Sequence, residues 1–367
     1  MARTFGTPDL VGAIRRELST ATNRARNGIS YLTMDKSEGL NPTPRVLVGS
    51  RDKVRLWKYP SKNRRHAEPI VAFLGLVSRP YVFDLLPGKS FVGQLGDAGY
   101  DVYVLDWGQP DHEESANSME TYVDFYLPRA FKIAQRDSGS PGIHVIAYCF
   151  GAIFGLMYQG SRGNSPIRAL TTLAAPVDFR KMPVYTQPFQ DGSIRPRDVI
   201  TDEGIVPAAV VARTLAMRTP TYDVTQAVGL WEKLAGDPKS GAIEAHAAMT
   251  GWVRDHVNFP GVAFEQFVRD FLNGNGFVNR TARVGNRPVA LDRIDIPILS
   301  VVAERDDLVP PAASYPLRDL VPEGVYNEVV LPAGHVGLVL GGTAKKITIP
   351  AIVDFFSSHS SELGERA

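Results

Sequence analysis

The chain holds a single cysteine, Cys149, and it stands where two sequence patterns meet. The apolar run His144-Val-Ile-Ala-Tyr148 before it reads as a buried strand. The stretch Ala152-Ile-Phe-Gly155-Leu-Met157 after it has the apolar spacing of a helix. A reactive residue between strand and helix, with small neighbours, fits a nucleophile elbow: the turn is strained and the helix packs close to the strand. The chemistry would be covalent catalysis by a thiolate. A thiol at its free pKa is mostly protonated near neutrality, so a base must lie close by. Free cysteine is also among the most buried residue types, so position 149 alone leaves packing and catalysis both open.

Two further groups fall at the ends of apolar runs. Asp306 follows Ile296–Ala303, and His335 follows Val325–Leu331 in the glycine-flanked loop Gly334-His335-Val336-Gly337. Cys149, Asp306, His335 is the nucleophile, acid, histidine order of the α/β-hydrolase fold. His335 can supply the base, and Asp306 can hold the imidazole in the correct tautomer and stabilise the imidazolium. An aspartate at a strand end also commonly caps a turn, and Asp307 could serve either role. The other histidines, at 66, 112, 144, 246, 256 and 359, read as surface, strand or cap positions. None of them pairs at H-x-x-x-H spacing and there is no second cysteine, so no metal site is expected. The oxyanion hole is assigned to the backbone N–H of Phe150 and that of Leu76 or Val77.

These residues need a scaffold, and 367 residues with 44% apolar content can bury a large core. A net charge of +1 gives no electrostatic reason to expect nucleic acid or an acidic membrane as partner. One cysteine rules out an intrachain disulfide and fits a reducing compartment. The N-terminus lacks the apolar core of a signal peptide, and no apolar run is expected to reach membrane-span length, so a cytoplasmic protein is the expectation.

Residues 1–45 form an N-terminal helical arm, with a helix over Asp9–Asn27 whose stripe would be Leu10, Ile14, Leu18 and Ala21. Residues 46–178 form the first part of an α/β core. It opens with two strands around a charged turn, the second reading as a half-exposed edge strand. Strands at 70–74, 102–105, 144–148 and 169–174 follow, alternating with helical patterns. Such alternation implies a mostly parallel central sheet flanked by helices, with reactive groups at the carboxyl ends of its strands. Residues 179–295 show helical segments (203–217, 225–234, 243–254, 262–272) and no clear strand, as an inserted cap would. Residues 296–367 complete the core, with a closing helix at 347–356 and a frayed polar tail after it.

At this point the residues match a known family. Leu76-Val-Ser-Arg79-Pro80-Tyr81-Val-Phe-Asp84-Leu85-Leu-Pro87 and Asp106-Trp107-Gly108 resemble the polyhydroxyalkanoate synthases, especially the short class III catalytic subunits. The likeness continues through Tyr148-Cys149-Phe150-Gly151, Ala175-Pro-Val-Asp178-Phe179, Phe259-Pro-Gly261, Asp306-Asp-Leu-Val-Pro310 and Gly334-His335. Where the family's box is G-x-C-x-G-G, Ala147 and Ala152 replace the outer glycines. Asp307 stands where the family often has histidine.

The resemblance implies an acyltransferase that polymerises (R)-3-hydroxyacyl-coenzyme A into polyester with release of coenzyme A. Cys149 would carry the acyl group and His335 would be the base, while the family's aspartate is assigned to activating the chain hydroxyl, directly or through the histidine. No cofactor is expected, since the coenzyme A thioester is the substrate. Expected partners are that thioester, the growing polyester, a second synthase subunit and a second copy of the chain, at a polyester granule surface rather than a bilayer. Two other readings stand beside it: a cysteine hydrolase (polyester depolymerase or thioesterase) on the same scaffold, and a catalytically silent granule-associated subunit.

Overall fold

The computed structural model describes residues 10–34, 40–216 and 222–363. Helix α1 (Leu10–Thr33) precedes a hairpin of β1 (Val46–Arg51) and β2 (Val54–Tyr59). Then come β3 (Ile70–Phe73), α2 (Phe91–Asp97), β4 (Val102–Asp106), α3 (Leu127–Ser138), β5 (Ile143–Tyr148), α4 (Phe150–Gly160) and β6 (Ile167–Leu173). The cap contributes two short strand pairs, β7 (Ile205–Val206) with β8 (Phe259–Pro260) and β9 (Arg283–Val284) with β10 (Arg287–Pro288). The core closes with β11 (Ile298–Ala303) and β12 (Tyr326–Leu331).

Eight strands form one sheet in the order β1-β2-β4-β3-β5-β6-β11-β12. Only the β1/β2 and β2/β4 pairings are antiparallel; from β4 to β12 the sheet is parallel. Parallel strands covered on both faces read as unbroken apolar runs, and β3 and β5 are buried at every residue. The order places β5 near the middle, and β11 and β12 bring Asp306 and His335 to the same edge as Cys149 although more than 150 residues separate them in sequence. That is the α/β-hydrolase architecture expected from the alternation.

Several expectations need correction. The edge strand is β1, not β2, because β2 is paired on both sides. The cap is not free of strands; β7 occupies the start of the segment expected as a helix from Glu203, and that helix begins only at Ala208, after Pro207. The helix of the arm runs on to Thr33. Its expected start at Asp9 lies outside the described residues, as do the side chains of Leu10 and Ile14, while Leu18 is 64% exposed. The arm is held instead by Asn27, whose amide donates to the Leu234 and Gly236 carbonyls at 2.9 and 3.1 Å. The tail after Ser357 is docked through residue 363: Ser361 N–H donates to Glu68 and Leu363 N–H to the Arg65 carbonyl. One segment, His335–Ser357, is long and apolar enough to cross a membrane by length and composition. Here it folds as short helical pieces, with Ile349, Ile352 and Phe356 buried in the core.

Candidate active site

Cys149 sits between β5 and α4 with φ 57° and ψ −124°. A non-glycine residue at such angles costs about 1–3 kcal/mol and persists only where its surroundings over-determine it. Here they do. Cys149 N–H donates to the Leu173 carbonyl at 2.8 Å, and its own carbonyl accepts from Ala152 N–H at 2.9 Å. The close approach of α4 to the sheet explains the small residues. A Cβ at Gly151 would stand 2.7 Å from the Leu74 carbonyl carbon, and one at Gly75 would stand 2.2 Å from the Phe150 Cβ. Ala147 is tolerated because position 155, facing it, is glycine: a Cβ there would come within 3.1 Å of the Ala147 methyl.

His335 and Asp306 are buried beside the elbow. Asp306 Oδ2 is 2.6 Å from His335 Nδ1, and Oδ1 accepts from the N–H groups of Leu308 and Val309 at 2.9 and 2.8 Å. Both carboxylate oxygens are therefore committed. Burial opposes the imidazolium, but the Asp306 charge, Cys149 and hydrogen bonds to both outweigh it, and His335 is held well above the ordinary histidine range. Asp307, next in sequence, is exposed.

The loop after β3, which carries Leu76 and Val77, abuts the elbow where Gly75 meets Phe150. Phe150 N–H opens helix α4, where no intrahelical acceptor exists. The motifs that carried the family resemblance fix this loop. Trp107 Nε1 donates to the Leu74 carbonyl at 2.8 Å. Gly108 takes φ 78°, and a Cβ there would stand 2.5 Å from the Lys53 carbonyl oxygen. Arg79-Pro80-Tyr81 meets the cap: Trp252 Nε1 donates to the Arg79 carbonyl at 2.7 Å, and the Tyr81 hydroxyl donates to Asp255 at 2.9 Å. His256 Nδ1 lies 3.0 Å from the Val77 carbonyl oxygen. Trp252 and Asp255 thereby latch the cap to the loop after β3.

At the other cap junction, Asn275 donates to Asp178 at 2.8 Å and accepts from Phe179 N–H at 2.9 Å. Phe259 and Phe267 of the cap pack on the Phe150 ring, 5.6 and 4.7 Å between centroids. An acidic group, Asp111 with Glu113 and Glu114, has the proximity of a cation site, but Lys53 is ion-paired to all three.

The chain was compared with known proteins. Residues 85–341 match the alpha/beta hydrolase fold family. The poly(3-hydroxyalkanoate) polymerase subunit PhaC of Haloferax mediterranei is 30% identical over 345 residues, 93% of this chain and 68% of the relative. That of Allochromatium vinosum is 29% identical over 344 residues, 92% of this chain and 95% of the relative. Among solved structures, a thermophilic esterase from Thermogutta terrifontis superposes with a TM-score of 0.50 at 14% identity, covering 87% of this chain and all of its own. That likeness shows the fold alone.

Proposed function

The chain belongs to the alpha/beta hydrolase fold family and, within it, to the poly(3-hydroxyalkanoate) polymerases, and we propose that it extends a polyester from 3-hydroxyacyl-coenzyme A through an acyl group carried on Cys149. The observation that carries this reading is the line of contacts from Asp306 through His335 to the strained Cys149.

With the proton already held on His335 as an imidazolium, the Cys149 sulfur attacks the thioester carbonyl. The oxyanion of the tetrahedral intermediate is received by Phe150 N–H and an N–H of the Leu76–Val77 loop. The carbon–sulfur bond to coenzyme A then breaks, and coenzyme A leaves with the proton from His335. Exchange of one thioester for another is nearly isoenergetic, so the acyl-cysteine can wait. A chain hydroxyl next attacks it, His335 accepts the hydroxyl proton and returns it to the departing Cys149 sulfur, and the new ester is released from the enzyme. Asp306 acts through His335 in both halves, since His335 and two backbone N–H groups already occupy its oxygens. Phe259 and Phe267, packed on Phe150, support the exclusion of water that would otherwise hydrolyse the intermediate.

The same reading makes the granule surface inside the cell the place of work, with a second synthase subunit and a second copy of the chain as partners. Purified protein with 3-hydroxybutyryl-coenzyme A, with and without such a subunit, tests it. Polymer and free coenzyme A are expected. Free hydroxyacid without polymer would replace the reading by hydrolysis, and no thiol release under either condition would leave a silent subunit.

A further inference from the structure

Tyr148 immediately precedes Cys149, and the mechanism above gives it no task. Its ring lies 5.0 Å from the His335 imidazole, centroid to centroid, with the two planes 26° apart. Its hydroxyl donates to the His335 carbonyl at 3.1 Å. Tyr148 is wholly buried. A buried phenol must find an acceptor or forfeit its hydration, and the acceptor here is the backbone of the catalytic base itself. That base opens a single short 3-10 turn, His335–Leu338, after Gly334.

We propose that Tyr148 is a positioning residue for the thiol–imidazole pair: its hydroxyl anchors the His335 backbone, and its ring face supports the imidazolium. The inference rests on the acyl-cysteine reading of the site. Each side of His335 then has a defined neighbour. Asp306 holds Nδ1 from the loop after β11, Cys149 faces the ring from the elbow, and Tyr148 covers one face from the end of β5. Arg305, the neighbouring cation, is turned towards the Pro332 carbonyl. An aromatic face carries negative quadrupole density and attracts a cation placed over it. The chain thus couples nucleophile and base through adjacent residues of one strand end, so the strain that sets the Cys149 sulfur also sets the ring beneath the base.

Cys149 is the only cysteine in the chain, so alkylation by iodoacetamide reads this pair without any need for polymerisation. The thiolate sulfur forms a bond to carbon and iodide leaves, so the rate follows the thiolate population. In Tyr148→Leu, with the ring face gone, the neutral-pH alkylation rate should fall about tenfold. Tyr148→Phe keeps a ring but loses the hydroxyl. It should lower polymerisation kcat several-fold with KM within twofold of wild type, and lower the neutral-pH alkylation rate by a smaller factor. This milder variant keeps the test decisive if Tyr148→Leu does not fold. A folded Tyr148→Phe protein with wild-type kcat and a wild-type alkylation profile overturns the proposal. Absence of polymerisation by the wild type would overturn the polymerase reading instead, and the alkylation profiles would still judge Tyr148.

Discussion

Two buried histidines sit at opposite ends of the same central sheet, and their surroundings push them in opposite directions. His335, at the carboxyl end, has a carboxylate on Nδ1 and a cysteine beside it, and its pKa is raised despite burial. His144 is the second residue of β5, at its amino end, five residues before Cys149. Its ring stacks on Phe356 at 4.5 Å, Nε2 meets only the Ser360 hydroxyl at 2.8 Å, and Nδ1 has no hydrogen-bond partner. Burial, with help from the like charges of His359, His66 and Arg168, drives its pKa down to about 3. The difference teaches that burial alone silences an imidazole. A committed carboxylate turns one into a base.

The sharpest way to break this comparison is at the active end. Cys149→Ala should abolish turnover; measurable polymer from a folded variant would remove the site altogether. Asp306→Asn should make His335 resemble His144, a buried ring without a charge partner. By analogy with carboxylate loss in other triads, kcat should fall roughly 10³–10⁴-fold, as steady-state release of coenzyme A would record. A drop below tenfold would mean that the carboxylate is dispensable. Trp252→Phe, which removes the donor to the Arg79 carbonyl, should reduce kcat several-fold by loosening the loop after β3 while leaving Cys149 alkylation unchanged. Equal losses in both assays would instead place the damage at the elbow.

The smallest effect expected is on stability, and it has opposite signs at the two ends. His144 has a folded pKa below its unfolded value of about 6.5, so between about pH 6.5 and 3 the unfolded state binds more protons. Stability is lost as pH falls through that window, at up to about 1.4 kcal/mol per pH unit. His335 has a raised folded pKa, so its contribution is present below about pH 6.5 and is lost as pH rises through the folded value. His144→Gln should flatten the acid side of a Tm-against-pH curve and leave kcat unchanged. An acid slope as steep as that of wild type would show that His144 is not held neutral by the fold.

Much of the candidate site was legible in the residues, because the pattern around each of its members is local. A nucleophile between an apolar strand and a small-residue helix start is a pattern within a dozen positions, and glycine-flanked His335 is another. The long apolar runs of β3, β5 and β11 declared themselves because strands covered on both faces need no polar residue. Features made by pairs of distant segments did not. The β7 and β8 strands are two residues each, too short for any periodicity, and exist only because the cap folds back on itself. The tail after Ser357 looks frayed until Glu68 and the Arg65 carbonyl supply its partners. The edge position of β1 depends on which strand β4 chooses, which alternation cannot reveal. The contacts of Trp252 and Asp255 could not be read from the sequence, since they are made with the Arg79-Pro80-Tyr81 loop about 170 residues away.

The central claim is a covalent acyl-cysteine, and trapping it is the most direct measurement. The wild-type protein is mixed with 3-hydroxybutyryl-coenzyme A, quenched in acid within a fraction of a turnover, digested and mass-analysed. A hydroxybutyryl adduct on the Cys149 peptide, absent from Cys149→Ala and lost on hydroxylamine treatment, is the expected result. Polymer formation with that peptide unmodified at every quench time, or with an adduct on another residue, would contradict it.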